Sequence, residues 1–301
     1  MGDILMIKIK VPATTANIGP GFDCLGMALN LYNIIEVHKD VDRLTIETNL
    51  QNSGIHTDES NLIYIAMKRL FEEAKYEIPP VRIVENINIP LSRGFGSSAA
   101  CIVAGLVGAN EMLGKHFSKE KLLEIAAEIE GHPDNVSPAL LGGFVVSTKT
   151  KDGVKYVKSN VNKDIMLLAV IPDFEMSTKD ARNILPSVLN YGDAVSNIGF
   201  SSLLTASLIT GNMDNIKYTI EDRIHEPYRL KLIPHSEDIK KKAYEFGADA
   251  FFLSGSGSTL MSLISNESIY DNMKHYLSSV GLKWDIKILN PDNIGVVVEN
   301  I

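Results

Sequence analysis

Apolar residues recur along this chain in two rhythms. A two-residue alternation runs through Met6 to Val11, Leu29 to Lys39, Leu44 to Thr48 and Val81 to Ile89, which predicts half-buried strands. The first is expected to stop at Pro12, which has no N–H for a ladder. The next two are expected to form a hairpin or meander. Helical spacing marks Asn61 to Tyr76, where Leu62, Ile65, Ala66 and Leu70 share a face behind the start signal Asp58-Glu59-Ser60-Asn61. It also marks Ser118 to Glu130, closed by Gly131-His132-Pro133. A short helix begins at Asp134-Asn135. Gly143 to Thr150 and Val154 to Lys158 read as a hairpin turning at Asp152-Gly153.

Beyond a polar stretch at 151–164 the rhythm changes. Ile165 to Ile171 is a continuous apolar run and therefore a buried strand. Helical segments follow at Ser177 to Leu185, Tyr191 to Thr210 and Asp214 to Ile220. His225-Glu226-Pro227-Tyr228-Arg229 interrupts the pattern before a helix at Ser236 to Phe246. Strands at Ala248 to Leu253 and Leu260 to Ile264, a helix at Ile269 to Val280, and strands at Trp284 to Leu289 and Ile294 to Glu299 complete the chain. This is an α+β order. With 301 residues it predicts two domains, divided as 1–160 and 161–301.

Composition narrows the function. The chain is 45% hydrophobic and 22% charged, ordinary for a globular protein, and its formal charge of −8 argues against a nucleic-acid partner. Met1 to Lys10 is too short and too charged for a signal peptide, and no apolar run is long enough for a bilayer. Cys24 and Cys101 fit no metal-ligand spacing, and Cys101 is expected to be a small core residue. A cytoplasmic protein without nucleic-acid or membrane partners is the expectation.

The candidate chemistry lies in three glycine-bearing loops. The middle one runs from Pro90 through Leu91, Ser92, Arg93, Gly94, Phe95, Gly96, Ser97 and Ser98 into Ala99, Ala100 and an apolar helix. Glycines allow close backbone approach to an anion, Ser97 and Ser98 are good capping residues, and a helix start offers unpaired N–H groups and a positive dipole end. Read alone, the motif fits an ordinary serine-capped loop equally well, and it is not a Walker A loop because no Gly-Lys-Ser/Thr follows. The first loop, Pro12 to Gly26, offers one amide and one carboxylate, Asn17 and Asp23. These suit a small polar ligand or simply the turn backbone. The third loop is Ser254-Gly-Ser-Gly-Ser-Thr259. Glu130 ends a helix, where the dipole disfavours a carboxylate unless a cation lies nearby.

In order and type these loops resemble those of the GHMP kinase family. The middle loop is similar to Pro-x-x-x-Gly-Leu-Gly-Ser-Ser-Ala, with Phe95 in place of Leu. The first loop resembles the homoserine kinase branch, as do Glu130 with Asp134-Asn135-Val-Ser-Pro and Gly142-Gly143, Ala181-Arg182 with Leu185-Pro186, and Glu226-Pro227-Tyr228-Arg229 before Ile233-Pro234. The resemblance implies an α+β, two-domain GHMP kinase fold. It comprises an N-terminal ATP-binding domain with a left-handed βαβ unit and a C-terminal ferredoxin-like α/β sandwich.

It also implies roles. ATP would lie along Pro90 to Ala100, its phosphates on the backbone of Gly94, Gly96, Ser97 and Ser98, and its adenine in an apolar slot near Asn61 and Leu62. Mg²⁺ would be held by Ser98 and Glu130. L-Homoserine, phosphorylated on its side-chain hydroxyl in threonine biosynthesis, would give its ammonium to Asp23 and its carboxylate to Arg182 and Arg229. Gly255 and Ser256 would close the pocket, Asn17 would orient substrate or γ-phosphate, and His132 and His225 would stand near. Either Asp134 takes the hydroxyl proton, or Asn135 faces the phosphate and there is no side-chain base. A homodimer is implied, although no feature of the sequence fixes an interface. Another GHMP small-molecule kinase, acting on mevalonate or shikimate, and a non-catalytic nucleotide-binding relative are the alternatives.

Overall fold

The computed structural model describes residues 6–39, 41–50, 54–162 and 164–300. Met1 to Leu5, half of the stretch read for a leader, and Lys163 of the polar run lie outside the described residues.

The first sheet begins with β1 (Met6–Ala16) and β2 (Leu25–His38), an antiparallel pair joined by the first loop. β1 does not stop at Pro12. Pro12 stands opposite Tyr32 at a register shift, where β2 bulges by Asn30 and Leu31 before Ala13 pairs Leu29, and the strand continues to Ala16. The Thr14 N–H past the bulge is accepted by the Phe95 carbonyl at 3.0 Å, so the strand end already belongs to the glycine loop. Only residues 17–24 are irregular.

β3 (Thr45–Thr48) does not form a hairpin with β2. It pairs in parallel with β4 (Arg82–Asn86), which lies between them, and α1 (Leu62–Glu73) makes the crossover. The helix between the two strands forbids a hairpin, because parallel neighbours need a crossover connection. β4 leads through the glycine loop into α2 (Ser97–Met112), which packs over β1 between α1 and α3 (Lys119–Glu130). α4 (Pro133–Leu141) and the hairpin of β5 (Phe144–Thr150) and β6 (Gly153–Ser159) complete this half, with β5 pairing the first residues of β2.

The second sheet has the order β10 (Trp284–Leu289), β7 (Met166–Pro172), β9 (Leu260–Ile264) and β8 (Ala250–Leu253), all antiparallel. β7 (Met166–Pro172) is followed by α5 (Thr178–Asn183), α6 (Tyr191–Thr210), α7 (Ile216–Thr219), α8 (Glu226–Arg229) and α9 (Ser236–Glu245). Then come β8 (Ala250–Leu253), β9 (Leu260–Ile264), α10 (Ser268–Ser279) and β10 (Trp284–Leu289). Two βα units flanking a central ββ pair, with the first strand beside the fourth, make the expected ferredoxin-like arrangement. The last strand, β11 (Val297–Asn300), crosses back and pairs with β1, so a division at residue 160 corrects to one in which the final strand rejoins the first sheet. This gives the outer edge of β1 a partner. No helix among the described residues is long and apolar enough to cross a membrane.

Candidate active site

The three glycine-bearing loops meet. Gly255 N–H donates to the Ala16 carbonyl at 3.0 Å, and Ser254 Oγ donates to the Gly94 carbonyl and lies 2.8 Å from Thr15 Oγ1. Asn17 Nδ2 donates to the Gly255 carbonyl at 2.8 Å while its Oδ1 accepts the Asp23 N–H at 3.0 Å. Such contact leaves no room for side chains. A Cβ on Gly94 would overlap the Ser254 carbonyl, and Gly94 has φ of +80°. Asn17 therefore binds turn backbone with both ends of its amide, and its place in the site is to hold the first loop against the third.

Between these loops lies a cavity of about 380 Å³. At one end Ile55, Leu62, Ile63, Ile87 and Leu91 form an apolar slot. Asn61 is there too, but its amide is fully used. Its Oδ1 caps α1 by accepting from Ile63 and Tyr64 N–H, and its Nδ2 donates to the His56 carbonyl and to Glu85 Oε1. Cys101 is on this wall and not in the core, and burial pushes its thiol up to about 12. Sequence reasoning missed Ile55, Ile87 and Glu85. Alternating apolar residues look the same whether they face a core or a slot, and the buried Glu85 was the one legible anomaly.

The middle of the cavity is the start of α2. Its N-cap is Gly96, with φ of +64° and no side-chain cap. Ser97 and Ser98 are helical residues and not the caps that sequence suggested. The first intrahelical bond is Ala100 N–H to the Gly96 carbonyl, so the N–H groups of Ser97, Ser98 and Ala99 have no helical acceptor. No acidic side chain occupies the first turn, and the buried Ser97 Oγ has no hydrogen-bond partner among the described residues. An uncapped helix start with an orphaned hydroxyl is a receptor for an anion. Leu91, Ser92, Arg93, Gly94, Phe95, Gly96, Ser97 and Ser98 line the cavity. Pro90 stands outside its lining, and Ala99 and Ala100 are packed behind it. Arg93 turns to the carbonyls of Leu91 and Pro172, fastening the loop to the second half.

Ser98 Oγ donates to Glu130 Oε2 at 2.8 Å, beside the helix start. Burial pushes the Glu130 pKa up, against the Ser98 bond and the His132 charge, and no Lys or Arg pairs with it among the described residues. Two hard oxygen donors in a partly dry pocket suit Mg²⁺, which keeps most of its coordination sphere for water and phosphate.

The far end holds charge. Arg182 from α5 makes a forked pair with Asp23, Nη1 to Oδ2 at 2.9 Å and Nη2 to Oδ1 at 2.8 Å, so the two predicted ligands of opposite ends of a substrate hold one another. Arg229 is buried. Its Nε donates to the Ala181 carbonyl at 3.0 Å, and Nη1 donates to the Gly255 carbonyl at 3.2 Å and to His225 Nδ1 at 3.4 Å. No carboxylate lies within ion-pair distance of it among the described residues, and Nη2 has no protein acceptor among them. Burial, then the nearby Arg182 charge, lowers its pKa to about 10. His225 is buried and outside the cavity lining. It stacks on Phe22 at 5.1 Å with Nε2 3.0 Å from the Gly19 carbonyl. A guanidinium only donates and a carbonyl only accepts, so the ring is neutral with its proton on Nε2. Burial lowers its pKa accordingly.

His132 Nδ1 lies 2.6 Å from the buried Asp134 Oδ1. Burial would lower the His132 pKa, but the Asp134 bond and charge, with Glu130 and Asp23 behind, outweigh it and raise it. Asn135 Oδ1 accepts from Thr14 Oγ1 at 2.8 Å, while its Nδ2 makes no bond within the described protein. Asp23, His132 and Asp134 bring ligand atoms within 4.8 Å of one another, but Arg182 and the His132–Asp134 bond already take up those carboxylates.

Glu226 beneath the site yields a pH prediction. Its Oε1 accepts the Leu253 N–H at 2.6 Å, and burial, then Asp222, raises its pKa to about 8. The folded form then holds a proton that the unfolded chain releases near the ordinary glutamate value of 4.5, so stability falls as pH rises between those values and levels off above. Glu226→Gln keeps the acceptor and removes the titration. Its melting temperature should exceed that of the parent by a margin that widens from about pH 5 to about pH 8.

The chain is similar to known proteins over nearly its whole length. Residues 61–143 match the model for the GHMP kinases N terminal domain, and 204–281 that for GHMP kinases C terminal. Homoserine kinases of Clostridium botulinum and Clostridium beijerinckii are 44% and 46% identical, each over 97% of this chain and 98% of theirs. The crystal structure of homoserine kinase from Cytophaga hutchinsonii superposes with a TM-score of 0.90 at 32% identity, covering 99% of both chains. A mevalonate kinase structure at 18% identity and a TM-score of 0.70 shares the fold.

Proposed function

The chain belongs to the homoserine kinase family of GHMP kinases, and from that premise we propose that it transfers the γ-phosphoryl group of ATP to the side-chain hydroxyl of L-homoserine. The observation that carries the substrate is the Asp23–Arg182 pair beside the carboxylate-free Arg229. A zwitterionic amino acid can replace that pair charge for charge, ammonium on Asp23 and carboxylate on Arg182 and the free Nη2 of Arg229. An acceptor without an ammonium would open the pair and leave Asp23 uncompensated, which is how the site would reject mevalonate or shikimate.

The phosphates lie on the start of α2, with Ser97 Oγ as a donor. Ser98 and Glu130 would hold Mg²⁺, which supplies charge neutralisation of the phosphates when bound. Asn135 Nδ2, fixed by Thr14, is the donor facing the transferring group. Asp134 is committed to His132, and Asn135 carries no basic atom. A loose transition state lets the acceptor hydroxyl lose its proton late, so positioning and charge do the catalytic work. By the same kinship the working unit is a cytoplasmic homodimer that handles ATP and L-homoserine without nucleic acid or membrane.

The test is ADP release with Mg-ATP against homoserine, mevalonate, shikimate, galactose and no acceptor. Turnover with homoserine alone is expected. Turnover with another acceptor would overturn the reading of the charged end. Nucleotide binding without turnover would favour a non-catalytic relative.

A further inference from the structure

A carboxylate stands in the apolar end of the cavity. Glu85 from β4 lines the slot with Ile55, Ile63 and Ile87, and it is only 2% exposed. Its Oε1 accepts from Asn61 Nδ2 at 2.7 Å, and no other hydrogen bond or ion pair reaches the side chain among the described residues. Oε2 is therefore left as a bare acceptor toward the slot. Burial raises the Glu85 pKa, against the Asn61 bond, and no cation opposes that. A nearly dry acceptor without a donor is costly, and a ligand N–H would offset the cost. Asn61 cannot turn to supply it. Its Oδ1 accepts the Ile63 and Tyr64 N–H groups at the start of α1, which only an oxygen can do. Its Nδ2 must then point the other way, to the His56 carbonyl and Glu85 Oε1. One oxygen of Glu85 is thus reserved, and the other is left to whatever fills the slot.

We propose that Glu85 reads the nucleotide base: Oε2 accepts a hydrogen bond from the exocyclic amino group of adenine and so selects adenine over hypoxanthine and guanine, which bear a carbonyl at that position. On the kinase reading above, the phosphates lie on the start of α2 and the acceptor lies at the charged end. The apolar end remains for the base, and the role of Glu85 rests on that reading. The isoleucine walls hold any flat ring and cannot tell one purine from another. The carboxylate can. A carbonyl on the base would face Oε2 with no proton between two acceptors, and both would stay unpaired in a dry slot. A site built around a polar contact rejects an analogue that lacks the matching group far more strongly than an apolar pocket rejects a change of size.

Calorimetric titration of the full chain with ADP and with IDP tests this, at about pH 8, well above the ordinary glutamate range. The two ligands differ only at the amino or carbonyl group and the ring nitrogen beside it. The parent should bind ADP about 30-fold more tightly than IDP, as for one hydrogen bond to a charged group. Glu85→Gln should reverse the preference. Asn61 Nδ2 can only donate, so the introduced amide turns its carbonyl to Asn61 and its NH2 to the slot. ADP affinity should fall by about 10-fold, and IDP should bind more tightly than it does to the parent. A residue that merely supported the fold would improve no ligand. Parent affinities for ADP and IDP within about 3-fold of one another would overturn the proposal, whatever the variant does. So would a variant that melts like the parent and binds IDP no more tightly. The titrations need no acceptor, so they stand apart from the turnover test. A preference for ADP in a chain that leaves homoserine untouched would count against the proposed reaction and for Glu85. Equal affinities in a chain that phosphorylates homoserine would do the reverse.

Discussion

Gly96→Ala is expected to lower turnover by at least about 100-fold and to abolish measurable nucleotide binding, since misplacement by about 1 Å near the chemistry already costs that much. Gly96 has φ of +64°, where an L side chain is strained. Its Cβ would lie inside the Thr14 side chain and 2.9 Å from Asn135 Oδ1. Relief requires either the loop to withdraw or the Thr14–Asn135 hydrogen bond to break. The first turns the start of α2 away from the phosphates, and the second frees the amide that faces the transferring group. Equilibrium binding of ATP by calorimetry, with a melting curve to show that the fold persists, checks it. Nucleotide affinity and turnover near those of the parent would show that the phosphates lie elsewhere.

Arg229→Lys should raise the homoserine KM by about 100-fold while leaving the ATP KM within about 3-fold, because truncating a buried, hydrogen-bonded charge partner costs about 2–5 kcal/mol. The lysine ammonium cannot reproduce the fork that meets the Ala181 and Gly255 carbonyls and His225 together. Loss of the Ala181 bond also loosens α5, which carries Arg182. Separate KM determinations for the two substrates decide the matter. An equal rise in both would mean that Arg229 acts on the loops in general and not on the acceptor's carboxylate.

Both predictions depend on contacts that differ in how well the chain announced them. The helix starting behind Gly96 was legible because glycine, serine and an apolar run have a local meaning. The N-cap was misplaced by one residue because serine competes for that position everywhere, and only the packing of Thr14 and Asn135 around Gly96 excludes a side chain. Arg229 was legible as a residue type. Its burial was not, since a guanidinium two residues from a proline reads as surface until α5, the third loop and His225 are assembled around it. Asp23 and Arg182 were assigned to opposite ends of one ligand. Their mutual pairing spans 159 positions of sequence, and no local signal reports it.

By itself the sequence determined most strands and helices, the α+β class and the order of the three loops. These follow from periodicity and from backbone preferences that act within a few residues. The tertiary structure alone decided that Pro12 sits opposite a bulge of β2 and not at a strand end, and that β4 lies between β2 and β3. It also decided that the last strand returns to the first sheet. Each of these depends on which distant segment supplies the missing hydrogen bonds or apolar cover. That choice is made by the whole chain at once.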